Sequence, residues 1–343
     1  MRSFQFSIFV LIFTWAVLAQ SVPPQAKPDF VQGMSALERG DYTRAIQALE
    51  KARQLAPETS DVADRLVSAY LQAGELSQAL RLGREATAKW PDDADAHHFL
   101  GLAYFKEGDL EDALGELQRA EQVRPNEFGV HYDMGLLWLA AQEYSDAARE
   151  LESALKFHSN DAVAHLLLGR AYQNSNRTLE AIEQFRSVLR VAPQTPLAHY
   201  HLGFAYASLG QNQKAIAEYE KEVARAPGDP EVQYQLGRTL LESGDLKAAL
   251  QHLHRAAELN PQNPDAAYDL GKALLSEGAT EQGERVLQKA ATLNPSDPSP
   301  HYLLARALAK MGHQQEAETE MQRFSELKKS QASIGGMATG RAH

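Results

Sequence analysis

Histidine is the residue type in this chain whose spacing first suggests chemistry. Imidazole binds metals and exchanges protons near neutral pH, so a regular row of histidines raises the question of a metal or acid–base site. Two metal ligands within one helix need to share a face, as residues at i and i+4 do. His199 and His201, like His252 and His254, are two residues apart and point to different faces. The row itself is spaced by multiples of 34 residues: His97, His131, His165, His199 and His301.

Other catalytic patterns are absent or isolated. Ser325 and Lys328 have the spacing of a serine/lysine pair, but they lie in a charged C-terminal segment without companion motifs. The sequence contains no nucleophile-elbow serine, no zinc-binding H-E-x-x-H, no P-loop and no dinucleotide fingerprint. We therefore predict a protein that is not an enzyme and that has no catalytic residues, no metal site and no cofactor.

Charge and composition exclude further classes. The 343 residues carry a formal net charge of −11, which argues against a nucleic-acid binder. Cysteine is absent, so the fold is held by packing rather than by disulfides. An exported protein without cysteine fits a bacterial envelope better than an animal secreted protein.

The first 19 residues differ from the rest. Arg2 is their only charge, the stretch from Phe4 to Leu18 is mostly apolar, and the small residues Val17 and Ala19 precede Gln20. This composition is typical of a secretory signal peptide. The apolar stretch is short for a membrane span, which needs about 20 residues. We predict export to the periplasm or outside the cell, with no stable membrane insertion after cleavage; a retained N-terminal anchor is the alternative.

Prolines show how the rest of the chain is organised. They recur 34 residues apart, with Ser159 in the one vacant position: Pro57, Pro91, Pro125, Pro193, Pro227, Pro261 and Pro295. A fixed period of this size means one structural unit copied along the chain. Nine units fill residues 26–331 after a short linker at 20–25: 26–59, 60–93, 94–127, 128–161, 162–195, 196–229, 230–263, 264–297 and 298–331. We expect residues 332–343 to be a disordered tail.

Each unit is predicted to be an antiparallel helix pair. In unit 94–127, Leu100 and Tyr104 have helical spacing, Gly108 stops the helix, and Ala113 and Leu117 mark a second helix. Gln142 replaces the glycine in unit 128–161, so irregular or flexible structure is expected at 142–161. Helix starts are indicated by a capping residue before proline at Thr195-Pro196, Asp229-Pro230, Asn263-Pro264 and Asp297-Pro298.

The repeat resembles the tetratricopeptide repeat, whose pattern is W-x2-L-G-x2-Y…A-x3-F…P. One unit has this pattern as His199-x2-Leu202-Gly203-x2-Tyr206…Ala215-x3-Tyr219…Pro227. The resemblance implies an all-α, right-handed α-solenoid of about nine helix pairs with a concave groove. It places the five histidines at position 4 of their units, where the family has a large packing residue, so we expect partly buried packing groups. Positions 2, 5, 6, 9, 12 and 13 of each unit are implied to line the groove.

In the later units these groove positions bring tyrosine and cations together. Position 5 holds Tyr200, Tyr234, Tyr268 and Tyr302, and position 9 holds Arg170, Arg238, Lys272 and Arg306. Such a row could bind an extended peptide with acidic groups. Two observations favour a structural role instead: tyrosine at position 5 is common in this family, and Asp133 and Asp269 could neutralise the cations.

Earlier units are more apolar at the same positions. Phe99, Leu102 and Phe105 are either an exposed patch that binds a partner or side chains that pack between adjacent first helices. Near the C-terminal end, Met321 and Phe324 either pack on the preceding unit or form a self-association surface.

These features predict a non-catalytic protein–protein interaction scaffold of the cell envelope or periplasm. Its partners would be peptides or proteins bound in the concave groove, and not nucleic acid. The alternative is an accessory or regulatory subunit of an envelope enzyme, or of a secretion or biogenesis complex.

Overall fold

The computed structural model describes the backbone of residues 21–339 and the side chains of residues 21–332. Within this range the chain forms 18 α-helices and no strands. It divides into two compact units, one ending at Ala192 and one beginning at Pro193. The predicted signal peptide, residues 1–19, lies outside the described residues. No helix between residues 21 and 339 combines the length and apolarity that a membrane crossing requires.

The first unit contains five helix pairs. Consecutive helices pack against each other, and the second helix of each pair also contacts the first helix of the next pair. The helices are α1 (Lys27–Glu38), α2 (Tyr42–Leu55), α3 (Ser60–Ala73), α4 (Leu76–Lys89), α5 (Ala94–Glu107), α6 (Leu110–Val123), α7 (Phe128–Ala140), α8 (Tyr144–Phe157), α9 (Ala162–Asn174) and α10 (Thr178–Val191).

The second unit contains four helix pairs that pack in the same order. Its helices are α11 (Ala198–Ser208), α12 (Asn212–Arg225), α13 (Pro230–Ser243), α14 (Leu246–Leu259), α15 (Pro264–Glu277), α16 (Thr280–Leu293), α17 (Ser299–Lys310) and α18 (Gln314–Thr339). The two units together contain the nine predicted helix pairs, and the predicted all-α solenoid of repeated pairs is confirmed.

Small residues let the two helices of a pair approach each other. A Cβ atom added at Gly135 would lie 2.6 Å from Cγ of Leu151, closer than real Cβ contacts come. Leu151 and the alanines on either side of it, Ala147 and Ala154, are fully buried. The glycine and alanine of the repeat pattern are therefore packing requirements, because a larger residue would separate the helices.

The turn within unit 128–161 is regular despite its missing glycine. Gln142 takes the left-handed conformation, with φ of 63°, that glycine takes at Gly108 and Gly244. The bond from the Glu143 N–H to the Trp138 carbonyl, 2.9 Å long, closes α7 and offsets the cost of that conformation. The expectation of irregular structure at 142–161 is wrong, since α8 is a normal helix.

Two of the predicted helix-start caps, at Asp229-Pro230 and Asn263-Pro264, are observed. The cap predicted at Thr195-Pro196 is not. Asp229 accepts hydrogen bonds from the first backbone N–H groups of α13, and Asn263 does the same for α15. The helix predicted to start at Thr195-Pro196 begins instead at Ala198. There the buried carboxylate of Glu222 accepts the Leu197 N–H at 3.1 Å, so a side chain from α12 replaces the local cap.

The last helix is longer than predicted. It continues to Thr339, past residue 331, where the last predicted unit ends. No proline interrupts this segment, and the Gln331 side chain donates to the Ser296 carbonyl at 3.1 Å, which attaches the helix to the preceding loop. Residues 340–343 lie outside the described chain.

Candidate partner-binding surface

In the second unit, the first helices of three consecutive pairs place a tyrosine and a cation one turn apart. These pairs are Tyr234/Arg238 on α13, Tyr268/Lys272 on α15 and Tyr302/Arg306 on α17. The three cationic side chains are exposed, and 51% of the Arg238 side chain is open to solvent. The Arg306 guanidinium lies 5.8 Å from the Tyr302 ring centroid, in cation–π range. The three residues Arg238, Lys272 and Arg306 are called the cation row below.

The tyrosines differ in their access to solvent. Tyr302 is 40% exposed, whereas Tyr234 is only 6% exposed and donates a hydrogen bond to Asp269 at 3.2 Å. The prediction that Tyr234 offers a contact surface is therefore wrong, because its hydroxyl joins α13 to α15. Tyr200 is half-buried and packs against Tyr219, with ring centroids 6.1 Å apart.

The predicted neutralisation of the cations is partial. Burial raises the pKa of Asp269, while the Tyr234 hydroxyl and the charge of Arg238 act in the opposite direction. Arg238 itself pairs with Glu242 at 3.2 Å across an exposed helix turn. Exposed pairs of this kind contribute little energy, so Arg238 can exchange Glu242 for a carboxylate of a partner.

The corresponding face of the first unit is closed by packing. Phe99 and Leu102 are each 6% exposed, and the Arg65 guanidinium lies 5.3 Å from the Phe99 ring centroid. Phe105 is half-buried against the same core. Phe99 therefore packs against the preceding first helix rather than forming an exposed apolar patch, and Phe105 stays a predicted contact residue. Arg170, the fourth predicted cation, is half-buried on α9 of this unit.

Ion pairs between adjacent repeats also occupy charged side chains on this face. Asp95 on α5 accepts from Arg65 on α3 and from Arg124, both at 2.7 Å. Burial alone would raise the pKa of Asp95, but the two arginines hold it below its usual value. His98 on α5 bonds to Asp133 on α7 at 2.7 Å. Asp95 and Asp133 are thus paired with side chains of neighbouring repeats.

Near the C-terminal end, Phe324 packs within its own helix pair. Its ring centroid lies 5.4 Å from that of Tyr302, and Lys328 lies over its outer side. Met321 is exposed. Of the two residues in the possible self-association surface, Met321 is therefore exposed and Phe324 is half-buried.

The position-4 histidines are hydrogen-bonded; His97, His131 and His301 are buried, and His165 and His199 are half-buried. Each Nδ1 contacts the side chain 19 residues later on the second helix of its own pair. With carboxylates these contacts are His97–Glu116 at 2.5 Å, His131–Glu150 at 2.9 Å, His199–Glu218 at 2.6 Å and His301–Glu320 at 2.6 Å. With amides they are His165–Gln184 at 2.7 Å and, with the residue types exchanged, Gln233–His252 at 2.8 Å.

These pairs were missed from the sequence, although a signal existed. Where position 4 is alanine, the residue 19 positions later is apolar, as in Ala63/Leu82 and Ala267/Val286. Position 4 and its partner therefore change together among the repeats of this one chain. For His97 both ring nitrogens have partners within the chain, Glu116 and the Pro91 carbonyl at 2.9 Å, as expected of a packing group.

Within residues 21–332, one group of metal-ligand side chains gathers around such a pair. Glu121, His131 and Glu150 present one ligand atom each, all within 4.8 Å of one another. The sequence gave no indication of this group, because its members lie on three different helices.

Comparison with known proteins identifies the repeat. Family models described as tetratricopeptide repeat match residues 36–82, 65–128, 166–230, 240–291 and 274–333, which together span most of the chain. None of the curated proteins compared with this chain matches it.

Solved structures show the same fold. The crystal structure of the APC/C hetero-tetramer Cut9-Hcn1 is similar over 78% of this chain and 52% of that one, with 16% identity and a TM-score of 0.53. MamA (residues 41 to the end) from Desulfovibrio magneticus RS-1 is 22% identical over 50% of this chain and 96% of its own, with a TM-score of 0.47. YrrB, described as a TPR protein with an unusual peptide-binding site, is 23% identical over 54% of this chain and 95% of its own, with a TM-score of 0.47.

Proposed function

Because the chain belongs to the tetratricopeptide repeat family, we propose that it is a non-catalytic scaffold that binds acidic peptide or protein segments on its second unit. Proteins of this family are protein–protein interaction scaffolds. The proposal adds a place and a chemistry: the cation row Arg238, Lys272 and Arg306, with the exposed ring of Tyr302 beside it.

The cation row is the observation that carries this proposal. Its members are 34 residues apart on three first helices of consecutive repeats, so their spacing is set by the stacking of the repeats. Because the stacked helices already fix the backbone of the row, binding of a partner costs conformational entropy mainly in the three long side chains. In a chain with a net charge of −11, such a row is a local exception that attracts carboxylates.

We extend the proposal to the location of the protein. The apolar stretch at residues 1–19 and the absence of cysteine support export to a bacterial cell envelope. Expressing the full chain in a bacterium with an envelope secretion pathway and sequencing the N-terminus of the protein from the periplasmic fraction tests this. A mature chain that begins at Gln20 supports export, and a cytoplasmic protein that retains Met1 contradicts it.

Binding is tested with a fluorescein-labelled oligo-glutamate peptide and its oligo-glutamine counterpart, measured by fluorescence anisotropy. The test variant is Arg238→Ala/Lys272→Ala/Arg306→Ala. A matched control, Lys247→Ala/Arg285→Ala/Lys289→Ala, removes three exposed cations from the second helices α14 and α16. Both variants change the net charge equally, so only the position of the lost charges differs.

We expect the acidic peptide to bind the wild-type chain and the control alike, and to bind the test variant at least about tenfold more weakly, a loss of about 1.4 kcal/mol. The neutral peptide should bind all three poorly. Equal losses in the two variants would reduce the effect to net charge and refute the cation row as the site.

A further inference from the structure

The first unit contains a second kind of site, at the place where α6, α7 and α8 meet. Glu121 comes from α6, His131 from α7 and Glu150 from α8. His131 Nδ1 is 2.9 Å from Glu150 Oε2 and 4.0 Å from Glu121 Oε1. His131 and Glu150 are buried, while 36% of the Glu121 side chain is exposed and opens the cluster to solvent.

The hydrogen bonds of His131 determine which of its nitrogens can bind a cation. Its Nε2 is 3.1 Å from the Pro125 carbonyl, which can only accept, so Nε2 carries a proton. Nδ1 faces the carboxylates of Glu150 and Glu121, so either a proton that Nδ1 donates to Glu150 or a bound cation must supply positive charge at this point.

A metal ion meets this requirement with suitable geometry. Tetrahedral Zn²⁺ with bonds of about 2.1 Å places its ligand atoms about 3.4 Å apart. The observed separations lie on both sides of that value, so small side-chain rotations suffice. An imidazole whose other N–H donates to a backbone carbonyl is also how metal-bound histidines are held. Two carboxylates would balance the charge of a divalent ion.

The environment of Glu150 agrees with this role. Its second oxygen, Oε1, accepts from the Arg149 Nε at 3.3 Å, and Arg149 also pairs with Asp146. This leaves Oε2 directed at His131. Arg149 thus holds the carboxylate from the side away from the cluster.

The other histidine–glutamate pairs show what is special here. The positions equivalent to Glu121 in other repeats lie at multiples of 34 residues from it. They hold Thr87 beside His97, Leu189 beside His199 and Ala291 beside His301. Those pairs lack the third carboxylate. We propose that Glu121, His131 and Glu150 bind one divalent transition-metal ion, of which Zn²⁺ is the best match because imidazole and carboxylate suit it and a tetrahedral site has room for one water.

The test uses the full chain, freed of metal by a chelator and titrated with zinc chloride by isothermal titration calorimetry. Co²⁺ is then used as a spectroscopic substitute, since its visible absorption reports tetrahedral coordination. Glu121→Gln removes one ligand at a half-exposed position and should leave the fold intact. Glu111→Gln, exposed on the same helix, is the matched control.

A third variant tests whether the carboxylate is sufficient. Ala291 lines the same cleft as His301 and Glu320, so Ala291→Glu should complete a second cluster. We expect one zinc per wild-type chain, at least tenfold weaker binding in Glu121→Gln, unchanged binding in Glu111→Gln and a second equivalent in Ala291→Glu. The proposal would be overturned if the wild-type chain bound no zinc, or if Glu121→Gln bound zinc as tightly as the wild-type chain.

Discussion

The two units of this protein use the first helices of their repeats in opposite ways. In the first unit, position 6 holds Arg65, Phe99 and Asp133, and each of them contacts a residue of an adjacent repeat. In the second unit, position 9 holds Arg238, Lys272 and Arg306, whose side chains point into solvent. One scaffold therefore has a face that contributes to stability and a face that is available for binding.

Neighbouring residues explain this difference. A cation at position 6 lies beside the next repeat and finds an acid there, as Arg65 finds Asp95. Arg238, at position 9, lies one turn further along its helix and pairs with Glu242 on the same helix. Contacts between repeats are part of what stabilises a stacked array, so removing them should affect folding before it affects binding.

The largest effect is expected from Phe99→Ala. Deleting a buried phenylalanine leaves a cavity and removes the ring over which Arg65 lies, so stability should fall by about 3–5 kcal/mol. Urea unfolding followed by circular dichroism measures this. Binding of the acidic peptide, measured without urea, should stay within twofold of wild type. A stable variant that loses peptide binding would make Phe99 a contact residue and would contradict the comparison.

The next effect separates buried from exposed ion pairs. Asp95→Asn removes the charge that both Arg65 and Arg124 contact, which leaves Arg65 largely buried without its partner and should cost about 2–3 kcal/mol. Glu242→Gln breaks the exposed pair with Arg238 and should change stability by less than about 0.5 kcal/mol. Unfolding midpoints of the two variants, compared under the same conditions, decide this. Equal losses of stability in the two variants would mean that the ion pairs of the first and second units contribute alike.

A smaller loss of stability is expected from changing Tyr234, which is buried in the second unit. Tyr234→Phe removes the hydroxyl that donates to Asp269 and should cost about 1 kcal/mol, because a buried carboxyl loses a donor. Tyr302→Phe at the exposed equivalent should cost almost nothing. If thermal unfolding showed the same small change for both, the contact between α13 and α15 would have no measurable role in stability.

The smallest effect is a pH dependence of opposite sign in the two units. Burial would lower the pKa of His98, but the hydrogen bond and charge of Asp133, with Glu127 and Asp95 nearby, raise it. Its stabilisation is therefore complete below the ordinary histidine pKa of about 6.5 and is lost as pH rises through the raised value. Burial lowers the pKa of His252, and the charge of Glu220 offsets this in part, so its contribution is present above about 6.5 and is lost as pH falls.

Stability differences between wild type and His98→Gln, and between wild type and His252→Gln, measured from pH 5 to pH 8, test these signs. The first difference should shrink towards high pH and the second towards low pH. Two differences that change in parallel would mean that Asp133 does not hold the proton of His98.

Sequence periodicity predicted the architecture because each repeat carries its own local signals. Helix pairs, the buried leucines and alanines, and most turns follow from residues within 34 positions of each other, and Gln142 shows that the period dominates even where the local residue is unfavourable. The start of α11 was mispredicted because the buried side chain of Glu222, on the second helix of the pair, replaces the local cap. The helix α18 extends to Thr339, and its Gln331 side chain contacts the Ser296 carbonyl of the preceding loop.

The candidate site was predicted in part. Its cations were identified because the resemblance to the repeat family implies that position 9 lines the groove, but the burial of Phe99 and Tyr234 depends on what the next repeat places opposite them. The histidine–glutamate pairs join two helices over 19 residues, a distance that no helical or strand period contains. Comparing position 4 with its partner across the nine repeats would have revealed them.

The central claim is that the second unit binds through its first helices while the first unit is closed. Hydrogen–deuterium exchange of the full chain, with and without saturating oligo-glutamate peptide, tests this most directly because it locates the contact on the backbone. We predict slower exchange in α13, α15 and α17, with α3, α5 and α7 unchanged. Protection confined to α3, α5 and α7 would contradict the account.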